Sequence, residues 1–310
     1  MAKQVLLLGG LLMDKYLVVG RYPERGEDTL VTRQFQKAGG CPYNVARTLQ
    51  NLGLDPVLYS AISSDEAGRE LARTVEREGL NPSALYPLEG EPTGCCMIVL
   101  DGEGERTFFT FRGCEGHFDP ARLPRPVAEK AAAVFVTGIY LLYPGWSEKA
   151  VDFLEELAAA GTPVLFDPGP LLGEMDPALL RRMVELASIL TPNRRERREL
   201  ERLLGIPSLP EWGFARRLAC LAETWGEGGA RLYTPEGAKT LPALPAQVVD
   251  TTGAGDSFAG GLLAGLLMGQ TPLQAAWTAS ACGALTTEAV GAHPSFTWAD
   301  VRERLRQAGH

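Results

Sequence analysis

The sequence predicts an α/β protein with a mainly parallel central sheet covered by helices and a small β-sheet projecting from it as a lid. Three observations predict it. Short apolar runs recur along the 310 residues, and between them lie stretches with three- and four-residue apolar spacing, the rhythm of strands joined by crossover helices. Two regions break that rhythm with strand-like segments that lack a crossover helix. No internal repeat or low-complexity linker divides the chain, so residues 1–310 read as one domain, with lid segments at 12–38 and 84–113.

The elements follow in order. The first apolar run, Val5 to Leu8, is broken by Gly9 and Gly10 and followed by Asp14, which fits a buried strand better than a signal peptide. KYLVV and TLVTRQF then pair across a charged turn as the first lid segment. NVARTLQNLG at 44–53 is helical, PVLYSAI at 56–62 a strand, and DEAGRELARTVEREG at 65–79 a helix. The second lid segment begins at SALYPLEG and runs into a hairpin, CCMIVL then ERTFFTF, joined through DGEG. Within it Phe109 and Phe111 read as dividing between the lid sheet and the cleft, and Arg112 closes the segment. Strands at 133–138, 163–169 and 187–193 alternate with helices at 147–161 and 194–205. Thr271 followed by Pro272 starts a helix rich in small residues, which permits close packing, and Trp298 to Arg306 form the last helix.

Apolar residues make up 45% and charged residues 22%, which excludes an extensively disordered chain. Thirty Lys plus Arg against thirty-eight Asp plus Glu give 30 − 38 = −8, which argues against a diffuse nucleic-acid-binding surface. The longest greasy helical stretch, Phe258 to Met268, is too short to span a bilayer. A soluble, cytoplasmic protein with neither nucleic-acid nor membrane partners is expected. Six cysteines and three histidines lack metal-ligand spacing, so buried or incidental thiols are expected and no metal held directly by the protein.

The most informative segment runs from Val248 to Gly269. A strand end leads into Thr-Gly-Ala-Gly, then Asp256, then a helix, so that glycines expose amides at a helix start able to bind phosphate. The pattern matches neither the P-loop nor the dinucleotide glycine signature. An acid directly after anion-binding amides suits removal of a proton from an acceptor hydroxyl, while a structural turn with a capping Asp is the plainer alternative.

Here the sequence resembles the ribokinase-like, or PfkB-type, carbohydrate kinases. Asp250 to Asp256, DTTGAGD, is similar to that family's C-terminal signature, and Ala38 to Ala46, AGGCPYNVA, continuing through Leu52-Gly53, to its N-terminal glycine motif. The resemblance implies transfer of the terminal phosphate of ATP to a hydroxyl of a small sugar. It implies Asp256 as general base, with Gly253, Ala254, Gly255 and Asp256 supplying the anion-binding amides. A carboxylate in that electropositive niche is expected to stay ionised near neutral pH.

Other positions divide between plain and functional readings. Asn193 and Glu196 match a capping box, and by resemblance they help place hydrated Mg²⁺ around the nucleotide phosphates. Thr224, Gly226 and Gly229 make either a hairpin turn or, by resemblance, a nucleotide-binding loop, and Ser280 belongs either to helix packing or to the adenine pocket. The acceptor side implied by the resemblance comprises Asp14, the Gly39-Gly40 backbone and Asn44, whose plain readings are a solvated loop acid and a helix cap. By resemblance Arg112 is an acceptor contact from the lid, with Arg106 an equally available local candidate, and its plain reading is a surface charge at the end of the hairpin. Cys41-Pro42-Tyr43 departs from the residues of many ribokinases. Asp250, Thr252, Gly291 and Ser295 stand near the positions that surround K⁺ in some relatives, or form an ordinary turn. Two lids pairing into a homodimer and local cover of the lid edges remain equally open. The alternatives to a sugar kinase are a nucleoside kinase of the same fold, a sugar-acid or phosphosugar kinase, and a phosphometabolite-binding protein without catalysis.

Overall fold

The computed structural model describes residues 2–103 and 105–310. The chain opens with β1 (Gln4–Leu8), and a sharp turn through Gly9 and Gly10 carries it off the main sheet into the hairpin β2 (Leu12–Val19) and β3 (Val31–Gly39). It returns through α1 (Cys41–Asn51), β4 (Asp55–Ser63), α2 (Glu66–Arg77) and β5 (Leu85–Leu88), then leaves again as β6 (Cys95–Leu100) and β7 (Arg106–Phe111). The remainder alternates through α3 (Arg125–Lys130), β8 (Ala131–Thr137), α4 (Ser147–Ala159), β9 (Val164–Asp167), α5 (Pro177–Leu186), β10 (Ile189–Leu190), α6 (Arg194–Leu204), α7 (Leu209–Phe214) and β11 (Cys220–Thr224). An antiparallel pair, β12 (Ala230–Thr234) and β13 (Gly237–Leu241), precedes α8 (Ala254–Leu267), α9 (Pro272–Thr287) and α10 (Trp298–Gln307).

Among the described residues, nine strands form one sheet in the order β13-β12-β11-β10-β9-β8-β1-β4-β5, parallel except for the β11/β12 and β12/β13 pairs. Its strands are nearly continuous apolar runs because both faces are covered. The two-residue pleat divides β1 cleanly: Val5 and Leu7 join the layer that holds Leu49, Phe258 and Leu262, while Leu6 and Leu8 join the opposite layer with Leu154 and Leu180. Each such fully buried aliphatic side chain contributes about 1.5–3 kcal/mol. Helices α8 and α9 pack closely because Gly261 lies against Cys282 and Ala279, and Gly265 against Ala275, where any larger residue would collide.

A second, four-stranded sheet has the order β3-β2-β6-β7, with β2/β6 parallel and the two outer pairs antiparallel. Two expectations need correction. The segment expected as lid from residue 84 begins with a strand of the large sheet, because β5 pairs parallel to β4 after the α2 crossover. Four residues including Pro87 gave too little pattern to separate that edge strand from the lid. Phe109 and Phe111, two residues apart, share one face by the pleat, on the side of Met97, and both are exposed. Phe108 instead lies opposite Ile98, on the face that carries Asp14 and Tyr16.

Glu115 anchors the lid to the body. Its buried carboxylate accepts the amides of Gly94 and Gly113, each at 3.1 Å, and the Tyr143 hydroxyl at 2.5 Å. Those glycines stand where β6 enters and β7 leaves the second sheet, so one side chain fixes both connections. No helix among the described residues is long and apolar enough to cross a membrane.

Candidate active site

Parallel strands present their carboxyl ends to a common edge, where α/β folds hold ligands. Here that edge gathers β1, β8, β9, β10 and β11, and the second sheet folds over it. Helix α8 starts at Gly253, whose φ of 74° is left-handed and whose Cα lies against the backbone of Ala292. The amides of Gly255 and Asp256, in the first turn, make no hydrogen bond among the described residues. They are the orphan donors of a helix start, ready for an anion.

Asp256 stands beside these amides. Asn44, in the first turn of α1, donates from Nδ2 to Asp256 Oδ2 at 2.7 Å, which leaves Asn44 Oδ1 buried without a partner. Burial lifts Asp256 to about 6, partly offset by hydrogen bonds from Asn44 and the Cys41 thiol. The group thus titrates closer to neutrality than a carboxylate at an electropositive helix end would on its own, because desolvation outweighs the helix field, yet it remains mainly ionised at pH 7.

Asp14, on β2, faces the same niche, and its carboxyl group makes no hydrogen bond among the described residues; the residue is only 7% exposed. Burial first, then the neighbouring Asp256, raise it to about 7. Gly39 lies against the Asp14 carboxyl group so closely that a Cβ would overlap it. Gly40, at φ 102°, turns the chain into α1 under the Gly10 carbonyl. Asp14, Gly39, Gly40 and Asn44 are therefore brought together with Asp256. Cys41, from the same motif, joins them, and its thiol is pushed well up by burial and by Asp256 and Asp167.

The other positions separate. Asn193 and Glu196 form a reciprocal capping box at the start of α6: Glu196 N donates to Asn193 Oδ1 at 2.9 Å and Asn193 N to Glu196 Oε2 at 2.8 Å. Thr224 bridges to Asn193, and its amide donates to the Pro192 carbonyl at 3.0 Å, so these two strand ends adjoin. Gly226 and Gly229, both at positive φ, shape the hairpin loop between β11 and β12. Ser280 donates to the Ala276 carbonyl of its own helix at 3.0 Å. A cavity of about 370 Å³ opens beside Asn193 and Glu196, walled by Pro170, Gly173 and Glu199. It flanks the strand edge and does not include Asp14 or Asp256.

Arg112 turns away from the niche: it donates to the Leu142 carbonyl and lies 5.5 Å from the Tyr143 ring centre. Arg106 crosses instead to the loop before α8, pairing with Asp250 at 2.8 Å and donating to Thr252 Oγ1 at 2.6 Å. Asp167 is not among the site residues expected from the sequence. It ends β9, accepts the Thr191 hydroxyl at 2.9 Å, and is pushed well above the usual carboxylate range by burial, then by Glu196 and Asp256. An acid closing a parallel strand at the ligand edge was the signal available.

A large, mainly parallel sheet flanked by helices, with a helix start offering free amides at its carboxyl edge and a smaller accessory sheet, is a ribokinase-like architecture. The chain belongs to the pfkB family of carbohydrate kinases, which matches residues 2–299, and so to a family of ATP-dependent kinases. It is 31% identical over 279 residues to the uncharacterised sugar kinase YegV of Escherichia coli, spanning 86% of this chain and 83% of that protein. It is 29% identical over 294 residues to the ATP-dependent ribose-1-phosphate kinase of Halopiger xanaduensis, spanning 95% of each. The structure of Burkholderia thailandensis nucleoside kinase in complex with inosine matches with a TM-score of 0.82 at 27% identity, covering 98% of this chain and 96% of that one.

Proposed function

We propose that the protein transfers the terminal phosphoryl group of ATP to a hydroxyl of a small unphosphorylated sugar, with Asp256 as general base. The observation that carries this reading is the Asn44–Asp256 hydrogen bond at 2.7 Å, which joins the acceptor-side helix to the helix that offers free amides. An acceptor hydroxyl there can lose its proton to Asp256 while the amides of Gly255 and Asp256 draw charge from the transferring group. Asn44 Oδ1 and the Asp14 carboxylate, both buried and lacking donors, would take hydrogen bonds from adjacent hydroxyls. A sugar lacking those hydroxyls leaves them unpaired and is rejected strongly.

The choice of an unphosphorylated acceptor rests on the lid arginines. Arg106 is committed to Asp250 and Arg112 to Leu142 and Tyr143, so neither offers a free guanidinium to a phosphate. A second reading, a nucleoside acceptor, is favoured by the lid face that carries Asp14. There Tyr16 stacks on Phe35 with ring centres 4.6 Å apart and planes 7° apart, and the same face continues through Ile98 to Phe108, a flat apolar surface suited to a base. The nucleoside kinase likeness supports the same alternative.

Asp167 and Glu196 fit a hydrated divalent cation, since both are raised by burial and Asp167 is raised further by Glu196, while the Asn193 hydrogen bonds and Arg195 offset the rise at Glu196 only in part. Among the described residues no group of three or more His, Cys, Asp or Glu could hold a metal ion. Contact through water is therefore proposed for Mg²⁺, which when bound would offset phosphate charge. Glu196→Gln keeps the capping geometry but removes the charge, because glutamine also serves at that position. It is expected to raise the Mg²⁺ requirement several-fold with little change in thermal midpoint, as a magnesium titration at saturating acceptor would measure. An unchanged curve would leave Glu196 as a cap alone.

The deciding experiment is an ADP-release screen with ATP and Mg²⁺ against fructose, ribose, 2-keto-3-deoxygluconate, tagatose phosphate, ribose 1-phosphate, inosine and pseudouridine. The highest kcat/KM is expected for an unphosphorylated sugar. A clear preference for a phosphorylated acceptor would overturn that choice, and a preference for inosine or pseudouridine would select the second reading.

A further inference from the structure

The monovalent-cation site suggested by the resemblance around Asp250, Thr252, Gly291 and Ser295 does not fit these residues as folded. Asp250 Oδ1 accepts the Thr252 amide at 2.8 Å and pairs with Arg106 Nη1 at 2.8 Å, while Oδ2 accepts the Gly291 amide at 2.9 Å. Arg106 Nη1 also donates to Thr252 Oγ1 at 2.6 Å. From the opposite edge of the lid, Lys37 Nζ donates to the Val290 carbonyl at 3.5 Å, next to Gly291. The Ser295 side chain is exposed and makes no hydrogen bond among the described residues. The Asp250 and Thr252 side-chain oxygens a free cation would need are thus already held, Ser295 is turned to solvent, and two like charges stand over the loop.

We propose that Arg106 is the built-in cation of this loop, aided by Lys37, so that the charge beside the phosphate-binding amides is delivered by lid closure and not by K⁺ from solution. The loop needs such a charge. Burial pushes Asp250 up, but the bonds from Thr252 and Gly291 and the Arg106 guanidinium outweigh it, and the carboxyl lies below its usual range. Asp250 is therefore ionised at neutral pH, and it braces the turn before α8 against the loop after α9. A guanidinium is charged at every working pH and presents several donors in one plane, so it can neutralise Asp250 and tie down Thr252 together. Arg106 and Lys37 come from β7 and β3, the two edge strands of the lid, so both contacts break if the lid lifts. Arg106 acts through Asp250 and Thr252, which makes it a positioning residue for the amides that follow.

The inference rests on the reading of Gly253 to Asp256 as the phosphate site, and its test keeps the two separable. Turnover and thermal midpoint are measured in KCl, NaCl and choline chloride at equal ionic strength, for the natural protein and for Arg106→Met. The natural protein is expected to show the same turnover, within about twofold, and the same midpoint in all three salts. Arg106→Met is expected to lose roughly 10-fold or more in kcat, the scale of one lost charge-assisted hydrogen bond. Added K⁺ or guanidinium ion should restore part of that loss, whereas choline should not, and the variant's midpoint should become salt-specific. Saturable K⁺ activation of the natural protein that persists in Arg106→Met would overturn the inference. So would a folded Arg106→Met that neither cation restores or stabilises. The midpoints need no acceptor, so they still decide the question if no phosphotransfer is found.

Discussion

Replacing Asp256 with asparagine is expected to lower kcat by about 10²- to 10⁴-fold while ATP binding changes little, because the substitution keeps the shape of the side chain and removes the base. Asparagine can still accept the Asn44 hydrogen bond through its own oxygen, so the junction between α1 and α8 should survive. The natural protein should also carry an acid limb in kcat/KM. Asp256 lies near 6 and Asp14 near 7, and the first is among the causes of the second, so the two titrate as a pair. Both are raised by burial, so protons return as the pH falls through about 7 to 6 and the base is lost in that window. Turnover, nucleotide binding and the pH profile of both proteins are the measurements required. Near-normal turnover in Asp256→Asn would remove Asp256 from its assigned role.

What could be read from the sequence was what neighbours in the chain decide together. The capping box at Asn193 and Glu196 was visible because its two hydrogen bonds join residues three apart, and the Thr271-Pro272 start was visible for the same reason. The parallel sheet was visible because burial on both faces leaves near-continuous apolar runs. Arg106 could not be placed that way: its partner Thr252 is 146 residues distant, and nothing in ERTFFTFRG distinguishes Arg106 from Arg112. Which arginine meets the loop depends on the β6/β7 register, since Arg106 lies opposite Leu100 at the outer end of the hairpin while Arg112 follows the last strand residue, at the anchored end. Asp167 was hidden for another reason. Its chemistry comes from burial beside Glu196 and Asp256, carboxylates from two other elements, and a strand-end DPG reads locally as a turn.

The same dependence on packing makes Gly253→Ala the second large effect expected. At φ 74° an alanine would sit in the left-handed region, at a cost of about 1–2 kcal/mol. Its Cβ would overlap the Cα and carbonyl of Ala292, and backbone atoms cannot swing aside as a side-chain tip can. The turn before α8 must therefore shift, and with it the free amides of Gly255 and Asp256. Loss of a single well-aimed donor to a developing anion costs about 10²–10³ in kcat, so a drop of at least that order is expected. The thermal midpoint should fall by a few degrees, since each kcal/mol moves it by about 2–4 °C in chains somewhat smaller than this one. Gly255→Ala supplies the contrast for stability, because a Cβ there meets open space and the midpoint should hold. If Gly253→Ala kept full turnover and an unchanged midpoint, the close approach of this turn to Ala292 would not govern the site, and the phosphate-binding role given to the start of α8 would have to be abandoned.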